Sequence, residues 1–135
     1  MIIIVHRNRW WWGEDFTLIE ASGMAMVELC LQDEYPSHGY ICSLKVFEDA
    51  RREGYATTLL KAAEDIARKA GLKYLYLGVD KQKPEWLKKW YQKMGFRDAG
   101  DEELSEGHCH QYIKDLTKSA GDEYGVKSQR YELIG

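Results

Sequence analysis

The chain has 135 residues, 44% of them apolar, which is the size and composition of one globular domain with a single core. Its 19 basic and 22 acidic residues give a formal charge of −3, so the basic excess that phosphate-backbone binding needs is missing and nucleic acid is not an expected partner. Cys30, Cys42 and Cys109 are an odd number without a paired short spacing, which argues against a disulfide framework or a zinc ribbon and fits a reducing cytoplasm. No uninterrupted apolar stretch approaches the roughly 20 residues that span a bilayer. The opening Met1–Val5 runs into His6, Arg7 and Arg9 instead of a cleavage site, so a soluble, unsecreted chain is expected.

Ile2–Val5 is β-branched and apolar and reads as a short strand ended by the polar His6–Arg9. Residues 16–21 and 24–31 read as two strands of a hairpin around Ser22-Gly23. Only the 10 residues His6–Asp15 separate the first strand from this hairpin, too few for two helices, and they include Trp10-Trp11-Trp12. Residues 39–47 alternate as a strand, with Ile41, Ser43 and Lys45 on one face and Cys42, Leu44 and Val46 on the other. Residues 55–70 switch to helical period: Leu59, Ala63, Ile66 and Ala70 form the buried stripe, Glu64/Arg68 and Asp65/Lys69 form exposed pairs, and Gly71 caps the end.

Lys73–Val79 reads as a central strand covered on both faces, completing a βαβ unit over residues 39–79. Pro84 and Glu85 open a second helix, whose stripe is Leu87, Trp90, Tyr91 and Met94 with Gly95 after it. Phe96 returns to extended chain, Asp101–Glu106 is an acidic loop, His108–Leu116 is a final strand, and residues 117–135 are a polar tail to a single domain spanning 1–135.

The residues with a chemical message lie between the strand ending at Val46-Phe47 and the helix that follows. A helix N-terminus carries unpaired N–H groups and a partial positive charge, and Gly54 and Ala56 are small enough to let a pyrophosphate approach them. Arg51 and Arg52 add charge-assisted donors. On a strand, His108 and His110 would face away from Cys109, which disfavours a zinc site, and no metal is expected. Trp10–Trp12 suits an aromatic acceptor wall, a dimer contact or a cover for the open side of the sheet.

In Arg51-x-x-Gly54-x-Ala56, in the preceding Leu44-Lys45-Val46 and in Tyr91-x-x-x-Gly95-Phe96, the chain resembles the GNAT superfamily of N-acetyltransferases. The resemblance implies an α/β (α+β) fold: a mixed, mostly antiparallel twisted sheet around a central βαβ unit that binds acetyl-coenzyme A. Here the N-terminal helical region would be shortened. It further implies that the main chain of Leu44, Lys45 and Val46 pairs with the pantetheine arm. The turn Arg51, Arg52, Glu53, Gly54, Tyr55, Ala56 with Thr57 would hold the pyrophosphate, and Tyr91 would protonate the departing thiolate. The expected reaction is transfer of an acetyl group to a primary amine, on a small molecule or a peptide, by direct attack in a ternary complex.

Two departures from the family pattern stand in the sequence. Pro84 occupies a position where an asparagine is common, and the helices that usually shape the acceptor pocket are missing. Where some members carry a glutamate base, Tyr40 stands here with His38 on the same strand face, so His38, Tyr40 or water is left as proton acceptor and His38 can equally be a surface histidine. A chain that kept the cofactor turn without an acceptor site would be an acyl-coenzyme A-binding regulatory module. The exposed aromatic run also leads to an expected homodimer.

Overall fold

The computed structural model describes residues 1–48, 54–80, 83–100, 109–117 and 132–134. Among them run strands β1 (Ile2–Trp10), β2 (Gly13–Glu20), β3 (Ala25–Gln32) and β4 (His38–Val46), helix α1 (Tyr55–Lys69), β5 (Tyr74–Asp80), helix α2 (Glu85–Lys93), β6 (Arg97–Gly100), β7 (Cys109–Asp115) and β8 (Glu132–Ile134). One mixed sheet contains all the strands, in the order β6-β7-β5-β4-β3-β2-β1-β8. Its neighbours are antiparallel except β4 with β5 and β1 with β8.

Residues 1–47 contain no helix: Trp11 and Trp12 turn β1 directly into β2, and the segment holds four consecutive antiparallel strands. β1 is longer than its apolar segment, because His6–Trp10 continue the ladder against Thr17–Gly13. A polar strand survives there through cross-strand charge complementarity, with Arg7 on Glu14 and Asn8 bonded to Asp15 at 3.1 Å. The far end of the tail is also sheet, since Glu132–Ile134 pair with Ile2–Ile4.

Both helices cover one face. α1 lies against β2, β3 and β4, burying Leu59, Leu60, Ala62, Ala63 and Ala67 on Ile3, Leu18, Val27, Leu29, Leu75 and Leu77. Each large apolar side chain buried this way contributes about 1.5–3 kcal/mol. The buried stripe is wider than its periodic core and excludes Ala70, which is exposed. It also includes Glu64: instead of an exposed pair, its carboxylate is fully buried, 3.0 Å from Arg68 and 2.9 Å from Lys114 of β7.

The face alternation of β4 breaks in its middle. Glu28 pairs with Ser43 but Leu29 pairs with Ile41, leaving Cys42 as the extra residue of a β-bulge. Side chains beyond the bulge change face, so Leu44 and Val46 join Ile41 on the α1 side and Lys45 is exposed on the other. β5 is covered fully on one face only, with Leu75, Leu77 and Val79 buried and Tyr74 and Tyr76 half-buried.

Candidate active site at the fork between β4 and β5

The parallel pairing of β4 with β5 covers four residue pairs, from His38–Tyr74 to Ile41–Leu77. β4 then continues to Val46 against β3, while β5 continues to Asp80 against β7. The sheet therefore forks at the bulge. Among the described residues, the β5-facing edge of Ser43–Lys45 has no strand neighbour. Unpaired main-chain groups of this kind accept an added extended chain that carries amides.

α1 connects these two parallel strands, so its N-terminus lies at the end toward which both run, the open end of the fork. Gly54 is its N-cap, with φ 80° and ψ 6°, a left-handed conformation that costs a residue with a side chain about 1–2 kcal/mol. Among the described residues no side chain caps this end and no acidic residue stands in the first turn, so the positive end of the helix keeps its attraction for an anion. Among the described residues, a Cβ on Gly54 would meet nothing within 4 Å. Tyr55, Ala56 and Thr57 form the first turn. Arg51, Arg52 and Glu53 lie outside the described residues.

Tyr91 occupies the last turn of α2, and the Tyr-x-x-x-Gly-Phe spacing has a local physical cause. The Gly95 N–H donates to the Gln92 carbonyl at 3.0 Å and the Phe96 N–H to the Tyr91 carbonyl at 3.1 Å, closing a Schellman cap with Gly95 at φ 97°. The apolar contact that accompanies such a cap is Tyr91 on Phe96, edge to face with ring centroids 6.0 Å apart. Tyr91 also packs on Tyr112 at 6.4 Å. Tyr112 is the register partner of Leu77, where β4 and β5 part, so Tyr91 lies level with the base of the fork. Its side chain is 8% exposed, burial pushes the phenol above its ordinary pKa, and no described residue hydrogen-bonds its hydroxyl.

His38 lies on the opposite face, at the closed end of the fork. It stacks on Tyr35 at 6.1 Å and meets Tyr74 at 5.9 Å and Tyr76 at 4.9 Å, while Tyr40 continues the row by stacking on Tyr76 at 5.5 Å. The Tyr40 phenol is raised by burial and by the neighbouring Tyr76 and Tyr35. His38 precedes the bulge by four residues, about 13 Å along a strand. The structure thus gathers Leu44–Val46, Gly54–Thr57 and Tyr91 around the fork and leaves His38 apart from Tyr91.

Sequence reasoning missed the residue that ties the two arms together. Lys114 of β7 is fully buried, bonded to Glu64 of α1 and donating to the Met94 carbonyl at the end of α2 at 2.7 Å. Its signal was a lysine directly after the apolar Tyr112-Ile113 in a strand, paired with an acidic residue one turn after Leu60. At the other end of the sheet, Trp11 is 92% exposed and Trp10 is 48% exposed. Trp11 and Trp12 line a shallow depression of about 250 Å³ with Gln32, Asp33 and Glu34, beyond the β1–β2 turn and away from the fork.

Residues 5–96 match the acetyltransferase (GNAT) family. A curated relative, GCN5-related N-acetyltransferase 6, chloroplastic, of Arabidopsis thaliana, is 38% identical over 60 residues, which are 44% of this chain and 20% of that protein. The chain thus spans a fifth of that relative's length. Among solved structures, the PaiA N-acetyltransferase of Thermoplasma acidophilum in complex with coenzyme A is similar with TM-score 0.62 and 20% identity, covering 75% of this chain and 59% of that one. N-acetylglutamate synthase of Neisseria gonorrhoeae, complexed with coenzyme A and N-acetyl-glutamate, is similar with TM-score 0.63 and 24% identity, over 86% of this chain and 30% of that one. At these identities the two structures speak for the fold. With a family match over most of its length and a forked mixed sheet to go with it, the chain belongs to the GNAT acetyltransferase family.

Proposed function

We propose that residues 1–135 form a single N-acetyltransferase domain that transfers the acetyl group of acetyl-coenzyme A to a primary amine, on a small molecule or a peptide, by direct attack in a ternary complex. The observation that carries this reading is the fork, with the N-terminus of α1 at its mouth. In it, the main chain of Leu44, Lys45 and Val46 pairs with the pantetheine amides. The first turn of α1, from Gly54 to Thr57, holds the pyrophosphate together with Arg51, Arg52 and Glu53. Acetyl-coenzyme A supplies an activated acyl group and a thiolate leaving group.

The chain's own residues have three tasks. Backbone N–H groups at the fork steady the charge that develops on the carbonyl oxygen. Tyr91 donates its proton to the departing sulfur, a role suited to a phenol that burial keeps protonated. His38 on the open face takes up the proton of the attacking amine, through water across the intervening length of β4. The free thiols of Cys30 and Cys42 support a reducing, cytoplasmic location, and among the described residues no helix is long and apolar enough to cross a membrane. The exposed Trp10 and Trp11 support a homodimer, and concentration-independent sedimentation as a monomer would refute that part.

The test is a titration of acetyl-coenzyme A followed by thiol release with a panel of amines. Saturable binding with amine-dependent release is the expected outcome. Binding with no turnover on any amine would favour the regulatory module, a reading to which the helix-free segment 1–47 lends support.

A further inference from the structure

The open face of the sheet carries a side-chain cluster for which acetyl transfer has no use. The bulge sets Cys42 and Ser43 together against Glu28, which turns Cys42 toward the face that already bears Glu28 and Cys30. Cys30 Sγ lies 3.8 Å from Glu28 Oε1, and the three donor atoms all lie within 4.8 Å of one another. We propose that Cys30, Cys42 and Glu28 bind one soft divalent cation of the zinc class, with a fourth position open to solvent.

Two thiolates and a carboxylate are ligands that zinc takes, and three protein ligands with one open position is a common arrangement for it. Zinc–sulfur bonds of about 2.3 Å and zinc–oxygen bonds of about 2.1 Å at tetrahedral angles put sulfur about 3.8 Å from sulfur and about 3.6 Å from oxygen. The observed 3.8 Å from Cys30 to Glu28 and the 4.8 Å limit on the set need only side-chain adjustments to close. A direct disulfide fits less well. The register partner of Cys30 is Tyr40 and Cys42 sits diagonally beyond it. Diagonal neighbours stand about 7–8 Å apart, beyond the Cα separation of about 4.4–6.8 Å that a disulfide takes.

The electrostatics favour a cation. Asp15, the register partner of Cys30 on β2, adds a second carboxylate behind the thiols, and its two oxygens accept from Asn8 at 3.1 Å and from the Trp10 indole at 2.7 Å, which fixes it as an outer charge. Cys30 is 9% exposed and Cys42 is exposed, so the site has an entry path from solvent.

The test uses the full, reduced chain with Cys109→Ser as background, titrated with Zn²⁺ by calorimetry and with Cd²⁺ by thiolate charge-transfer absorption. One cation per chain is expected. The absorption should fall by about half in Cys42→Ser or Cys30→Ser and vanish in the double variant, since each thiolate contributes its own transition. In Glu28→Gln the Kd should rise by roughly 10-fold or more. In the unsubstituted protein, Zn²⁺ should protect Cys30 and Cys42 from alkylation, mapped by mass spectrometry, a readout that needs no variant to fold. No saturable binding, unchanged alkylation of both cysteines in the presence of Zn²⁺, or undiminished Cd²⁺ absorption in a folded double variant would each overturn the proposal.

Discussion

The two sides of the fork use charge differently. On the hairpin side, Arg7 meets Glu14 on the neighbouring strand and Arg9 meets Asp33 just past the end of β3, with both arginines and Asp33 well exposed to water. On the far side, Lys114 and Glu64 have no exposed surface at all, and they connect β7 to a helix that rests on β2, β3 and β4. Water screens the first set and competes for every one of its hydrogen bonds, so these pairs keep a polar strand in register and add little else. The second set is removed from water at a large desolvation cost and is held only while every partner is present. Beyond its four-pair seam with β5, the near arm is thus tied to the far one through a buried charge.

The largest expected effect follows from removing one member of that set. Lys114→Met should destabilise the fold by about 3 kcal/mol, because it removes one of the two cations paired with the buried Glu64 carboxylate and leaves Arg68 to hold it. The loss is readable as a shift in the urea midpoint. Lys114→Met with Glu64→Leu should recover most of it, and a double variant as weak as the single one would mean that the lysine acts through packing or the Met94 carbonyl alone.

Tyr91→Phe probes the same side of the fork without touching a charge. The ring and its contacts with Phe96 and Tyr112 remain, so stability should hold while single-turnover acetyl transfer falls at least about 100-fold. Since burial raises this phenol above its ordinary 10.0, its proton-donor form persists through neutral and mildly alkaline pH. Any alkaline limb it causes should therefore lie above the usual tyrosine range and disappear in the variant. Wild-type single-turnover rates would return Tyr91 to a packing role.

A smaller effect is expected at the mouth. Gly54→Val should weaken coenzyme A binding by about 10-fold or more, the worth of one charge-assisted hydrogen bond. It should also cost about 1–2 kcal/mol of stability, because φ is positive there. Unchanged binding by calorimetry would move the phosphate site elsewhere. On the exposed side, Arg7→Gln should leave both the urea midpoint and the turnover unaltered, and a clear loss of either would erase the contrast between the two arms.

The βαβ unit, both helix ends and the missing N-terminal helices were legible in the sequence because each depends on local pattern: helical period, a glycine after the last turn, or a connection too short to hold a helix. What stayed hidden is non-local. His6–Arg9 read as a strand terminator because the charges that pair with them stand on β2 and at Asp33. Strict alternation gave Ile41 the wrong face-mates, because a bulge at Cys42 is defined by register with β3 and leaves no mark in β4 itself. Glu64 read as solvated because its partner Lys114 lies 50 positions away. Of the candidate site, the helix end and the tyrosine were visible, whereas the fork itself needs two strands seen together.

β1 opens with Ile2-Ile3-Ile4-Val5, and a β-branched apolar strand at the border of a sheet is a template for edge-to-edge aggregation. β8 sits on that border, its Glu132–Ile134 paired with Ile2–Ile4, and so acts as a guard strand for the most self-adhesive segment of the protein. Deleting residues 132–134 should leave cofactor binding at the distant fork intact while increasing light scattering over hours at high protein concentration. A truncated chain as clear in solution as the full one would show that the isoleucine edge is shielded by other means. The price of a short polar tail is then colloidal: three residues far from any chemistry decide how concentrated the protein can become before its sheets join.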